Sequence, residues 1–291
     1  MKTKWFIPVG ILTILAVAIS DGFSGFEKIS NAQPQPTPTE SLLLKALEDA
    51  ALPESHEVLN NLTVINRSNP NLTWDEQGRV LVATFTKENR FQQGKQIKSN
   101  NRSDPQVIWV TVAPKLKNFC TDYVQANSEV SPQKLNERLE QLLGIKPNSQ
   151  NIHVARIWVH PEYLKKPTID PEINDSIAEI PPPSHEICPD QNGDCDPYQK
   201  WFKQQLEEQE KNRKYFQNLR DNSTLVSPTP PSLYPWTGLG YTYDWGIYPK
   251  TPLQTDAGLS EFIIFLPPNT EPFVSIEVKR VFSTEEYCKK E

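Results

Sequence analysis

Two stretches of the chain are apolar at almost every position, and this pattern predicts two buried strands. They span residues 107–113 and 152–159, and a nearly continuous apolar run of this length is typical of a strand covered on both faces. Between them, apolar residues recur at helical spacing after Pro114 and again after Pro132, which Ser131 precedes as a helix cap. The order strand, helix, helix, strand favours a single sheet in which the two strands run parallel.

Further helical and strand patterns flank this unit. They predict an N-terminal helix capped at Thr39 or Ser41 and ending near Pro53, a hairpin at 72–86 with its turn at 75–78, a helix from Asp196-Pro197 to about Arg220, and strands at 240–245, 259–266 and 273–282. The long helix carries many charges, and its middle, 207–214, has no apolar stripe. We therefore expect that part of the helix to be solvated.

These elements predict an α+β fold in a single domain. The expected architecture is a mixed β-sheet of about five to seven strands with about three to four packed helices and long proline-rich loops. Residues 40–105 hold the N-terminal helix and the hairpin, and 106–291 form the main α+β domain. Proline-rich loops are expected at 166–197 and 221–235, where many of the 27 prolines lie.

The first 32 residues carry an export pattern. Two lysines precede an apolar run from Trp5 to Ile19 that lacks charge. At helical rise such a run spans roughly 22 Å, which is shorter than the ~30 Å hydrocarbon core of a bilayer. This length favours a signal peptide at 1–32, followed by a proline-rich leader at 33–39. An uncleaved N-terminal membrane anchor or a buried core helix are the alternatives. We expect an exported protein of the periplasm or cell envelope that contacts the membrane only through this segment.

Charge and cysteine content narrow the class of protein further. The formal net charge is −6, and no basic stripe with interleaved aromatics occurs, so a nucleic-acid partner is not expected. The four cysteines of an exported chain favour disulfides. Cys188 and Cys195 flank a short turn and would pair locally, which leaves Cys120 for Cys288. Four cysteines allow other connectivities, and free buried thiols are a further alternative.

The densest aromatic cluster lies in the segment from 234 to 246. In an extended strand, Tyr241, Tyr243 and Trp245 project to one face. Together with Trp236 they could form a platform on which a sugar ring or a peptide side chain stacks. The alternative is that the rings face inward and cover a helix.

Two sets of oxygen-bearing side chains suggest chemistry. Asp244 and Glu261 are carboxylates placed within apolar strands, and a buried pair about 5–9 Å apart could act as acid and base in glycoside hydrolysis; the alternative is strand-edge charges that face water. Asp190, Asn192 and Asp194 match the first positions of a calcium loop, but its glycine and its final glutamate are missing, so a plain disulfide-closed turn is the alternative. Neither HExxH nor CxxC occurs, and the sequence predicts no cofactor.

Four segments together resemble one protein family. Their sequences are IWVTVAP at 108–114, RLEQLLG at 138–144, YPWTGLGYTYDWG at 234–246 and GLSEF at 258–262. They are similar to an uncharacterised family of exported bacterial proteins of cyanobacterial type. The resemblance covers most of the chain between 105 and 266 and implies a bacterial envelope location but no activity.

The leading functional hypothesis is a non-catalytic envelope protein that binds a ligand or a protein partner through its aromatic strand. The first alternative is a glycan-directed hydrolase that uses Asp244 and Glu261. The second is a purely structural envelope protein.

Overall fold

An antiparallel β-sheet forms the centre of the computed structural model, which describes residues 37–97, 104–188, 195–221, 229–246, 256–268 and 276–290. The described strands are β1 (Val80–Thr86), β2 (Gln106–Val112), β3 (His153–Val159), β4 (Leu164–Lys165), β5 (Tyr241–Tyr243), β6 (Ala257–Ser260), β7 (Phe262–Leu266) and β8 (Glu277–Ser283). Six of these form the main sheet, in the order β4-β7-β2-β1-β3-β8, and β5 pairs with β6 in a small sheet.

The helices of the described residues pack on the main sheet and around its edges. The α-helices are α1 (Pro38–Ala50), α2 (Ala113–Ala126), α3 (Pro132–Leu142), α4 (Pro197–Arg220) and α5 (Thr284–Cys288), and short 3-10 helices lie at Ser55–Glu57, Pro161–Tyr163 and Ser184–Glu186. The expected α+β class in a single domain is confirmed.

Two helices begin at the predicted caps and one does not. Ser131 accepts a hydrogen bond from a backbone amide at the start of α3, and Asp196 accepts two at the start of α4. The cap of α1 is Thr37, two residues before the expected position. Its hydroxyl accepts from the Glu40 amide at 3.2 Å, and the Glu40 carboxylate accepts from the Thr37 amide at 2.8 Å.

Strand pairing differs from the expected mixed sheet, because all strand pairs in the described part of the chain are antiparallel. Both β2 and β3 pair with β1, which lies between them. The two predicted buried strands therefore run in the same direction in one sheet but are not neighbours. The predicted hairpin is reduced to a bridge between Trp74 and Val80, because β1 forms its strand-pairing hydrogen bonds with β2 and β3.

The last third of the chain also differs from the strand prediction. The expected strand 259–266 is divided at Glu261 into β6 and β7, which belong to different sheets. The expected strand 240–245 is short and joins the small sheet instead of the main one. Both differences concern which strands pair with each other, and the hydrophobic periodicity of a strand does not determine its neighbours.

The main sheet separates two hydrophobic layers. On one face, the apolar side chains of Val82, Val110 and Ile157 pack under the loops that carry Ile65 and Ile97. The opposite face is covered by helices: at one end Leu81 and Phe85 pack against α2, α3 and α5, and at the other end Ile263 and Phe265 pack against α4. Between these two helical contacts the sheet is left with a gap.

Two disulfides occur among the described residues, with the expected connectivity. Cys120 on α2 pairs with Cys288 on α5, and Cys188 pairs with Cys195 just before α4, with Cα atoms 5.1 Å and 5.6 Å apart. In the portion of the chain that the structure describes, no helix has the length and apolar character needed to cross a membrane. The predicted signal peptide at 1–32 lies outside the described residues.

Candidate functional site

A cavity of about 630 Å³ occupies the gap between the main sheet and the middle of α4. The cavity is defined here by its floor, its roof and its rim. Ala83 of β1 and Thr111 of β2 are cross-strand partners on the floor. Gln205 and Gln209 of α4 form part of the roof, and the loop 143–151 and the segment 234–236 contribute to the rim. A volume of this size lies in the ordinary range of small-molecule sites.

Polar contacts fasten the middle of α4 to α1 and to the segment 232–236. Gln209 donates from Nε2 to the carbonyls of Ala50 and Trp236, both at 2.8 Å. Asn212 donates to the Ser232 carbonyl at 3.2 Å and accepts from the Ser232 amide at 2.9 Å. Both side chains are buried. The prediction that the middle of α4 is solvated is therefore wrong: its inner side is buried, but against backbone carbonyls and a void instead of apolar side chains.

The indole of Trp109 forms an aromatic wall of the cavity. Trp109 lies in β2 at the centre of the main sheet, yet it is 37% exposed, whereas its strand neighbours Ile108 and Val110 are buried. Its ring centroid lies 5.8 Å from that of Trp201 and 6.4 Å from that of Trp236. The prediction that 107–113 is buried on both faces fails at this residue, because its face opens into the cavity.

Glu261 is the buried acid of the cavity. It lies where the chain passes from β6 to β7, and its amide donates to the Gly240 carbonyl at 2.9 Å. The side chain is 8% exposed and lines the cavity, and its buried Oε2 has no hydrogen-bond partner among the described residues. Burial raises the pKa of this carboxyl from 4.5 to about 8. The neutral acid therefore predominates at pH 7 and can donate a hydrogen bond into the cavity.

A second polar atom on the wall is also without a partner. The Nε1 of Trp236 is buried and donates to nothing within the described ranges, although the residue lines the cavity. The neighbouring hydroxyl of Thr111 is different, because it already donates to the Ser260 carbonyl at 2.9 Å. Buried groups without partners are uncommon in native proteins, and a bound water, ion or ligand is one way in which they are satisfied; seven other such atoms occur among the described residues.

Asp244 does not join Glu261 at the cavity. It is buried and forms a bidentate ion pair with Arg138 of α3, with oxygen–nitrogen distances of 2.9 Å and 2.6 Å. The same carboxylate accepts from the Gly246 amide at 3.0 Å. These contacts use its lone pairs to fasten β5 to α3. The structure therefore does not bring the two carboxylates of the hydrolase hypothesis together at the cavity.

The aromatic strand is packed, in agreement with the alternative in which the rings face inward, and it does not form a platform open to solvent. Tyr241, Tyr243 and Trp245 are 3%, 3% and 2% exposed. Each polar tip is bonded: Tyr243 donates to Asp49 at 2.7 Å, and the Trp245 indole donates to the Ile145 carbonyl at 3.0 Å. Burial, and then the hydrogen bond to Asp49, raise the pKa of Tyr243 above its usual range. Tyr241 and Tyr243 meet the cavity only as part of its wall.

A cluster of three acids lies beside the Tyr243 hydroxyl. Asp49, Glu57 and Asp256 have carboxylate oxygens within 4.8 Å of one another, at the place where Tyr243 donates; the sequence does not predict this cluster, since its members are far apart along the chain. The calcium-loop residues Asp190, Asn192 and Asp194 lie outside the described residues.

Sequence reasoning missed several cavity residues for which a signal exists. Leu206, Gln209, Asn212 and Phe216 recur at helical spacing on α4, so a buried stripe continues through the charged region with amides in place of apolar side chains. Trp109 carries the other signal, a large ring within a run of small β-branched residues.

Comparisons of the chain with protein-family models, with curated proteins and with solved structures give no match. The resemblance to a family of exported bacterial proteins stays a prediction.

Proposed function

We propose that this protein binds a small ligand in the cavity between the main sheet and α4, and that binding, not catalysis, is its activity. The observation that carries the proposal is Glu261, a residue that lines a cavity of about 630 Å³ and whose buried Oε2 has no hydrogen-bond partner among the described residues. An unsatisfied buried acid reduces stability. A ligand that occupies the cavity and bonds to the acid removes this cost.

The hydrolase alternative has weaker support. It requires a second carboxylate beside Glu261, but the Asp244 carboxylate forms an ion pair with Arg138. The other carboxylate on the cavity wall, Glu208, is exposed and forms an ion pair with Lys211 at 2.5 Å. A purely structural role has no need of the cavity or of Glu261.

We also propose that the protein is exported and works in the periplasm or cell envelope. The proposal is supported by the apolar pattern of 1–32 and by the two disulfides of the described chain, which are typical of oxidising compartments. Detection of the mature protein in a cytosolic fraction with reduced cysteines would contradict it.

Ligand binding is tested with 1-aminoanthracene, a neutral aromatic probe, and a pair of matched tryptophan variants. Gln205→Trp places a large ring in the cavity, whereas Gln204→Trp places the same ring on the exposed side of α4. The wild type and Gln204→Trp should bind the probe at one saturable site, and Gln205→Trp should bind at least tenfold more weakly. Equal binding by the two variants would place the probe elsewhere and overturn the proposal.

A further inference from the structure

Three basic side chains lie on the cavity wall. Lys87, Arg90 and Lys146 line the cavity, and none forms a salt bridge with another described residue: Lys87 donates to the amide of Gln150 at 3.4 Å, and Arg90 lies over the ring of Phe91. The formal net charge of the protein is −6. Other exposed lysines, such as Lys115 and Lys134, also lack an ion pair among the described residues, so the informative feature is that these three basic residues line one cavity of an acidic protein.

The fold brings these three residues to one side of the cavity. Lys87 and Arg90 follow the end of β1, and Lys146 follows the end of α3. The two segments are joined, because the Ile152 amide donates to the Thr86 carbonyl at 3.1 Å.

Neither Glu140 nor Glu208 forms an ion pair with a member of the basic cluster. Glu140 accepts from the amides of Asn148 and Ser149 at 3.2 Å and 2.8 Å and from the Ser149 hydroxyl at 2.7 Å. Glu208 on the opposite wall is paired with Lys211. No ion pair with a described residue therefore offsets the positive charge of the cluster, and the acid nearest to it in the chain is the exposed Glu88 between Lys87 and Arg90.

The interior of the cavity has the opposite character. Trp109 and Trp236 supply apolar rings, and the raised pKa of Glu261 keeps its carboxyl neutral at pH 7. An apolar ligand body is favoured there, and any polar atom that it carries can accept the Glu261 proton or the Trp236 N–H. The exposed lysine and arginine lie toward solvent, whereas Glu261 is buried, so an amphiphile has one preferred orientation.

We infer that the ligand is an amphiphilic organic anion, whose apolar body contacts Trp109 and Trp236 and whose anionic head group pairs with Lys87, Arg90 and Lys146. The inference rests on the proposed ligand cavity. Clefts lined by one sign of charge raise the local concentration of the opposite charge, and this effect discriminates against cationic amphiphiles of the same size.

Three probes with the same tail test the inference: dodecanoate, 1-dodecanol and dodecyltrimethylammonium, each below its micellar concentration, in competition with 1-aminoanthracene. Dodecanoate should bind at least tenfold more tightly than the other two. The triple variant Lys87→Gln, Arg90→Gln, Lys146→Gln should reduce that preference to twofold or less while leaving 1-dodecanol unchanged. A control triple variant at the exposed residues Lys115, Lys134 and Lys290, which changes the net charge equally, should keep the preference.

The outcomes separate this inference from the proposed function. If 1-aminoanthracene binds in the cavity but dodecanoate does not displace it, or if 1-dodecanol or the ammonium probe competes as well as dodecanoate, the inference is wrong and ligand binding stands. If both triple variants lose the preference equally, net charge explains it and the basic cluster does not. If the aromatic probe itself fails to bind in the cavity, the proposed function falls first.

Discussion

Glu261→Gln should stabilise the protein, and by an amount that grows with pH. Below pH 4.5 the carboxyl is protonated in both the folded and the unfolded chain. Between pH 4.5 and about 8 the unfolded chain releases this proton while the folded chain keeps it. Unfolding is therefore increasingly favoured as the pH rises through this window, and above about 8 the loss is complete. Glutamine has nearly the same shape and no proton to release.

The size of the effect follows from the two pKa values. At about 1.4 kcal/mol for each pH unit, the interval from 4.5 to about 8 corresponds to a loss of about 5 kcal/mol in the free energy of unfolding of the wild type. Relative to the wild type, Glu261→Gln should gain little at pH 4.5 and up to about 5 kcal/mol at pH 8.5. A residue that lowers stability while it lines a ligand site is an example of the trade-off between stability and function.

Urea unfolding of both proteins across this pH range measures the difference directly. Other titrating groups are common to the two proteins and cancel. Glu129→Gln, the same change at an exposed position, is the control and should track the wild type. A difference between Glu261→Gln and the wild type that stays constant from pH 4.5 to 8.5 would refute the reasoning, because it would mean that Glu261 ionises as freely in the folded chain as in the unfolded one.

Three further predictions concern stability, each measured by urea unfolding. Replacing Cys120 and Cys288 with serine should cost about 5 kcal/mol, because this bridge closes a separation of 168 residues, whereas serines at the shorter bridge, with a separation of 7, should cost about 2 kcal/mol; equal losses would contradict the loop argument. Arg138→Met should cost about 3–5 kcal/mol, because it leaves the Asp244 carboxylate buried without its cation; adding Asp244→Asn should restore part of the loss, and no recovery would count against the ion pair. Gly258→Ala should cost about 1–3 kcal/mol, since the added methyl group overlaps a threonine hydroxyl and a backbone carbonyl; unchanged stability would show that the backbone gives way.

The elements that the sequence predicts well are those that local patterns determine. The caps at Ser131 and Asp196 and the pairing of Cys188 with Cys195 depend on residues close together in the chain. Strand order depends on contacts between distant residues, so the insertion of β1 between β2 and β3 has no counterpart in the periodicity.

The candidate site is harder to predict from the sequence than the fold, because it is a cavity and not a motif. Glu261 looks like a strand-edge charge until the chain is seen to change sheets there. Gln209 looks solvated until its amide is seen to bond to the carbonyls of Ala50 and Trp236. The identity of neither residue predicts the cavity, because a cavity results from the spacing between a helix and a sheet.

A crystal structure from crystals grown with 1-aminoanthracene tests the presence of a ligand site most directly. We expect the probe to lie on the main sheet beneath α4, in contact with Trp109 and within hydrogen-bond distance of Glu261. A structure in which α4 closes onto the sheet and the Glu261 carboxylate is bonded to a group of the protein, with the probe absent or bound at the surface, would contradict the account.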